Sequence, residues 1–157
     1  MTFKIRYISL IFLSLIISAC GFQLRGSIDA DFKSIYIYGG SEGLNKHLLK
    51  RFKQSGIKIE IKNPEKTLEI LKDRLDKRIL SLNSSGSVKE YELIYEVNYR
   101  FKSLNYAWSD EIKKEVTRDY TYDDNDRVAK ELEEKNLVQG MRDEIVRSIV
   151  SQISISK

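Results

Sequence analysis

The chain has 157 residues, one cysteine, one histidine and a formal charge of +4 at pH 7. A single cysteine excludes an internal disulfide, and together with a single histidine it excludes the usual multi-Cys or multi-His metal sites. Lys4 and Arg6 stand in a leader without acidic residues, so the rest of the chain carries only +2, little support for a nucleic-acid surface.

The first element is that leader, MTFKIRYISLIFLSLIISAC. Lys4 and Arg6 precede an apolar run from Ile8 to Ile17, broken by Ser9 and Ser14, and Ser18-Ala19 then lead into Cys20. A charged start, a short apolar core and a small-residue exit define a secretory signal. The apolar stretch, about 10–13 residues, falls short of the ~20 a membrane-spanning helix needs. Cysteine directly after the exit is a bacterial lipobox: residues 1–19 are expected to be removed and Cys20 to carry a diacylglyceryl thioether. Several acyl chains anchor stably where one does not. Gly21 rather than aspartate follows, which in this class favours the outer membrane. The remaining 138 residues, 20–157, suit one domain.

FKSIYIYG reads as a strand, with Tyr36 and Tyr38 on one parity and Ile35 and Ile37 on the other. GGSEG follows, and Ser41 is placed to cap a helix over EGLNKHLLKRFKQSG, whose Leu44, His47, Leu48 and Phe52 approximate one face before Gly56 stops it. Ile57, Ile59 and Ile61 alternate with charged residues and predict a short second strand, broken by Asn63-Pro64. TLEILKDRLDKRILSLN is ambiguous. Leu68, Leu71, Leu75, Ile79 and Leu82 fit a helix, while the pairs Leu68/Ile70 and Leu80/Leu82 fit strand ends; spacing alone slightly favours the helix.

VKEYELIYEVNYRFKS is a long antiparallel strand. Tyr91, Leu93, Tyr95, Val97, Tyr99 and Phe101 share one face, and the other is mostly charged. SSGS precedes it and NYAWSD follows, and EIKKEVTRDYTYD alternates again through Ile112, Lys114, Val116, Arg118 and Tyr120, so hairpins are expected at both ends. The last element is a helix from about Asp124 onward, with an apolar stripe of Val128, Leu132, Met141, Ile145, Ile149 and Ile153, widened by Leu137, Val138, Val146 and Val150. The outline is α+β, helices covering one sheet face in a two-layer sandwich.

Nothing in the spacing marks a catalytic site. His47 has no nucleophile partner, no two carboxylates stand out as a pair, and GGSEG lacks the lysine-serine pattern of a phosphate loop. Neither a cofactor nor a metal is expected. Six aromatic residues at strand ends and loops, Tyr36, Tyr38, Tyr106, Trp108, Tyr120 and Tyr122, exceed what a core there needs and are candidates for a partner interface.

The ordered set CGFQLRG, QSGI, GSVKEYELIYEVNYRF, VTRDYTYDDNDRVAKELEE and MRDEIVRSIVSQI resembles the lipopolysaccharide-assembly lipoprotein family. The resemblance implies two helices on a mixed, roughly four-stranded sheet, and makes Leu68 to Leu82 largely strand. It also implies a role as an outer-membrane lipoprotein that plugs the large lipopolysaccharide-export β-barrel in a 1:1 complex, assists its assembly and binds lipopolysaccharide. Of the family's two basic ligand positions, one matches Lys130 in the Ala129-Lys130 pair. The other falls on Ser84, a departure. Lys89 just beyond that turn, Arg118 and Arg127 are further candidates for phosphate contacts. The alternative reading is a generic periplasm-facing envelope lipoprotein with a structural or adhesin-like role.

Overall fold

Strand β1 (Ser34–Gly39) lies between the two-residue β2 (Lys58–Ile59) and the long β3 (Lys66–Leu82), parallel to both. β3 runs antiparallel to β4 (Val88–Ser103), and β4 antiparallel to β5 (Ile112–Thr121), giving a mixed sheet in the order β2-β1-β3-β4-β5. Helices α1 (Glu42–Gln54) and α2 (Arg127–Ile155) cover one face. This computed structural model describes residues 30–156; the leader, Cys20 and the CGFQLRG start lie outside them. The architecture is the expected α+β sandwich, with a fifth strand because Lys58–Ile59 adds a short edge. The expected alternation through Ile61 does not extend that edge: Ile61 lies beyond the pairing and is 77% exposed.

The core forms where the predicted faces meet. Leu93, Tyr95, Val97, Tyr99 and Phe101 of β4 are buried under Leu44, Leu48 and Phe52 of α1 and Met141, Ile145, Ile149 and Ile153 of α2. Ser41 caps α1, its hydroxyl accepting from the Leu44 amide at 3.2 Å. His47 Nδ1 meets Asp143 Oδ1 at 2.6 Å and ties the helices together. The apolar stripe of α2 is buried only from Val138 onward. Val128 and Leu132, expected on the same stripe, are 82% and 59% exposed, because in the first turns of α2 the positions that meet the sheet are Lys130 and Glu134, bonded to Thr121, Lys77 and Tyr120.

The helical spacing of residues 68–82 has a strand origin. Leu68 and Ile70 are buried toward the helices, and a register shift then falls between Ile70 and Lys72. That extra residue resets the parity, so Leu75 and Ile79 come to lie opposite Tyr95 and Tyr91 on the helix side. A second irregularity between Ile79 and Leu82 puts Leu82 opposite Val88. Two bulges in a period-two strand produce steps of three and four, the pattern of a helix.

Two tyrosines four residues apart on the inner face of β4 have opposite hydrogen-bond situations. Tyr95 donates its hydroxyl to Asp73 at 2.6 Å, and the other oxygen of Asp73 accepts from the Ser41 amide at 2.8 Å. Burial, reinforced by Asp73, pushes the Tyr95 hydroxyl pKa well above its ordinary value. The Tyr99 hydroxyl is buried without a partner, and burial alone pushes its pKa up to about 12. Tyr95→Phe is therefore expected to cost ~1 kcal/mol, whereas Tyr99→Phe should be neutral or stabilising, since it removes an unsatisfied group. Thermal unfolding of the two variants side by side checks this; equal losses would contradict it.

Candidate functional site

The far end of the β3–β4 hairpin is set by a tight turn. The Asn83 side-chain carbonyl accepts from the Ser85 and Ser87 amides at 3.0 and 2.9 Å, and Gly86 takes φ +84°. Ser84 sits exposed at the tip. β5 ends beside this turn, its pairing closed by the Tyr122 amide donating to the Lys89 carbonyl at 2.8 Å. A short 3-10 turn (Asp124–Asp126), capped by Asp123, then leads into α2. Asp124, Asn125 and Asp126 form this turn, and the Asp126 side chain makes no capping bond to α2.

These segments enclose an open cleft of about 590 Å³ whose lining includes Asn83, Ser87, Lys89, Tyr122 and Lys130 together with the carboxylates of Asp123 and Asp124. Two of the predicted cations, Lys89 and Lys130, are thus brought into one site although 41 positions separate them in sequence. Lys130 is held ready: its ammonium donates to Glu133 at 2.9 Å and to Thr121 at 3.3 Å. Glu133 is 45% exposed, and such an i,i+3 pair contributes under ~1 kcal/mol. Arg118 is not part of this cleft. It pairs with Glu144 and lines a separate groove of about 600 Å³ with Leu132, Leu137 and Gly140. Arg127 is exposed on the first turn of α2.

Behind the cleft lies an arrangement that the sequence did not reveal. Glu134 accepts from Lys77 at 2.7 Å and from the Tyr120 hydroxyl at 2.6 Å. Lys77 also sits 4.1 Å from the centre of the Tyr91 ring, which stacks on Tyr120 at 5.8 Å. Burial, then the bond to Glu134, raises the Tyr120 pKa to about 12. Burial would raise the Glu134 carboxyl, but its bonds to Lys77 and Tyr120 outweigh this and hold it below its ordinary value. Lys77 was hidden because its segment read as a charged helix face; only the strand register points it at Tyr91 and Tyr120.

The six aromatic candidates separate. Tyr36 stacks on Tyr38 at 5.6 Å, and Tyr38 meets Trp108 edge-on at 6.5 Å, on the sheet face that no helix covers among the described residues. Arg100 and Lys102 flank the Trp108 ring at 4.7 and 5.0 Å. Tyr106 projects from the β4–β5 loop and is 72% exposed. Tyr120 is core, only 5% exposed, and Tyr122 packs partly buried against Tyr91. The uncovered face is otherwise a ladder of cross-strand ion pairs, Arg100–Glu69, Lys72–Glu96 and Arg78–Glu92.

GGSEG holds an anion, but an internal one: the Ser41 amide is taken by Asp73. Among the described residues no group of three His, Cys, Asp or Glu is arranged to hold a metal.

Two helices on one face of a mixed sheet, with charged side chains across the other, define a two-layer α+β domain. The model of the lipopolysaccharide-assembly (LptE) family matches residues 32–153, and the chain belongs to that family. It is therefore a lipoprotein with a role in lipopolysaccharide assembly. The structure is similar to that of the uncharacterized lipoprotein B from Nitrosomonas europaea, at 29% identity and TM-score 0.70 over 85% of this chain and 90% of that one. It is similar also to rare lipoprotein B from Shewanella oneidensis, at 27% identity and TM-score 0.67 over 77% and 93%. The minor lipoprotein from Acinetobacter baumannii shares the fold, at 18% identity and TM-score 0.64 over 80% and 92%. No curated protein matches the sequence.

Proposed function

We propose that this chain, processed after residue 19 and lipidated at Cys20, is a non-enzymatic outer-membrane lipoprotein that seats in the lumen of the lipopolysaccharide-export β-barrel as a 1:1 plug, assists its assembly and contacts lipopolysaccharide in transit. The observation that carries the ligand part is the shared cleft of Lys89 and Lys130 at the hairpin end. Two lysines lining one polar cleft suit the paired phosphates of lipid A, against the two carboxylates of Asp123 and Asp124 in the same lining. The Ser84 turn supplies no charge, so Lys89 takes the place of a basic tip residue. Arg118, held by Glu144 in its own groove, is left out of the site, and Arg127 adds only long-range attraction. The plug part is supported by the uncovered sheet face, whose ion-pair ladder and Tyr36–Tyr38–Trp108 cluster suit a polar lumen wall.

Changing Lys89 and Lys130 together to Glu tests both parts. The double variant should fold, co-purify with the barrel in equal amounts, and bind lipopolysaccharide at least about tenfold more weakly. Binding by the parent should fall as salt rises, because exposed charges are screened within ~10 Å at 0.1 M. Unchanged affinity in the folded variant would remove these lysines from the site. Lost barrel association would assign them to the plug interface instead.

A further inference from the structure

Helices α1 and α2 meet along a seam that the Lys89–Lys130 cleft does not reach. His47, Lys50, Arg51 and Gln54 recur at steps of three and four on one face of α1, and Asp143, Val146 and Arg147 do the same on α2. The two stripes line a cleft of about 210 Å³. The His47–Asp143 bond joins them and fixes the spacing of the helices there. Three cations, Lys50, Arg51 and Arg147, thus share one small volume with a single carboxylate, Asp143, which His47 already engages. With the imidazole neutral, the lining carries +2. The clefts described above are balanced instead. Lys89 and Lys130 share theirs with Asp123 and Asp124, and Arg118 and Arg147 share theirs with Glu133 and Glu144. Among the described residues none of Lys50, Arg51 and Arg147 has an ion-pair partner, and Arg51 Nε is buried without an acceptor. A buried donor left open and like charges left uncompensated both weaken a fold, and a bound oxyanion relieves both.

We propose that this cleft between the helices is a second phosphate site, taking a phosphate monoester of lipopolysaccharide beyond those held at Lys89 and Lys130. The charge selects the ligand. A phosphate monoester carries about −1.5 to −2 at pH 7 and matches the lining, whereas a singly charged carboxylate leaves a cation uncompensated. Arg51 and Arg147 offer guanidinium forks from the two helices, each able to bond two phosphate oxygens. That the phosphate belongs to lipopolysaccharide rests on the preceding reading; the charge of the cleft does not. Arg147 lies 17 positions beyond Lys130, ~25 Å along α2, so the phosphate here is a different one from those at Lys89 and Lys130. The cleft belongs to the helix layer, away from the ion-paired sheet face that meets the lumen wall in that reading, and it stays open to a lipid in transit. It also supplies the net attraction that the Lys89–Lys130 cleft, balanced by its two aspartates, lacks.

Inorganic phosphate tests the cleft directly. Titrated into the isotope-labelled full-length lipoprotein in neutral detergent, it should shift the backbone amides of His47 to Gln54 and Asp143 to Arg147 saturably. The double variant Arg51→Gln/Arg147→Gln should lose those shifts. Neither side chain gives up an ion pair, so the variant should melt within about 2 °C of the parent. It should bind lipopolysaccharide with a phosphorylated core at least about tenfold more weakly. Lipid A without the core separates the two sources of the phosphate. Unchanged lipid A binding assigns the cleft to a core-sugar phosphate, and an equal loss assigns it to a phosphate of the lipid A disaccharide. No saturable shift in the parent, or unchanged binding of both lipids by the folded variant, would overturn the proposal. Lost co-purification with the barrel, with lipid binding kept, would overturn it in favour of acidic side chains on the lumen wall. Lys89→Glu/Lys130→Glu measured alongside tells the two readings apart. If that variant alone binds weakly, this cleft fails and the Lys89–Lys130 site stands; if the arginine variant alone does, the reverse holds.

Discussion

Val97→Asp is expected to cost ~3–5 kcal/mol and to lower the melting temperature by ~10 °C or more. Val97 is fully buried in the middle of β4, between Asp73 of β3 and Lys114 of β5 in the pairing register. A carboxylate there loses its water and gains a like charge in Asp73, whose oxygens are already engaged by Tyr95 and Ser41. Lys114 is across the strand pair, but its charge does not replace the lost hydration. Thr117→Asp, on the exposed opposite face of the neighbouring strand, provides the contrast and should stay within ~0.5 kcal/mol of the parent. If thermal unfolding showed similar shifts for both, the assignment of inner and outer sheet faces would be wrong.

Gly39→Ala should be the most disruptive of the minimal substitutions. Gly39 ends β1 at φ +76°, and a Cβ built there would lie 2.2 Å from the backbone carbonyl oxygen of Ile70. The left-handed conformation alone costs ~1–2 kcal/mol for an L-residue. The clash adds to it, because the obstructing atom is backbone in the paired β3 strand and cannot rotate away. Relief requires β1 to move off β3, which also pulls Ser41 from Asp73 and Asn45 from the Gly39 carbonyl. Gly86 isolates the conformational part: φ is +84°, but nothing lies within 4 Å of an added Cβ. Gly86→Ala should therefore cost only ~1 kcal/mol, and Gly39→Ala clearly more, in urea unfolding of the two variants. Equal costs would mean that β1 and β3 are not in close contact at Ile70.

A shared property of this domain explains both results. The inner face carries the stability, since α1 and α2 are held against β4 by apolar burial. The outer face is free to be charged, and it carries the cross-strand ion pairs Arg100–Glu69, Lys72–Glu96 and Arg78–Glu92. Lys66, the first residue of β3, ties the sheet to the helices: its buried ammonium closes the end of α2.

The amino-acid sequence by itself determined the lipobox expectation, the helix cap at Ser41, the hairpin strands β4 and β5 and their buried parity, and the apolar face of α2 from Val138 onward. These are local properties. A cap needs one side chain and one turn, and alternation over sixteen residues needs no partner to be recognised. Tertiary structure alone decided the rest. Residues 66–82 became a strand because β4 offers a complete hydrogen-bonding ladder, with bulges absorbing a spacing that otherwise reads as helical. Val128 and Leu132 stayed in solvent because polar partners on the sheet, Thr121, Lys77 and Tyr120, turn Lys130 and Glu134 toward it instead. Lys89 and Lys130 met, and Arg118 did not join them, because facing Leu93 across the β4–β5 ladder sets Arg118 beside Glu144 of α2. Side-chain type limits what a site can bind, whereas the register of a sheet, fixed by pairings far apart in sequence, chooses which of those side chains share it.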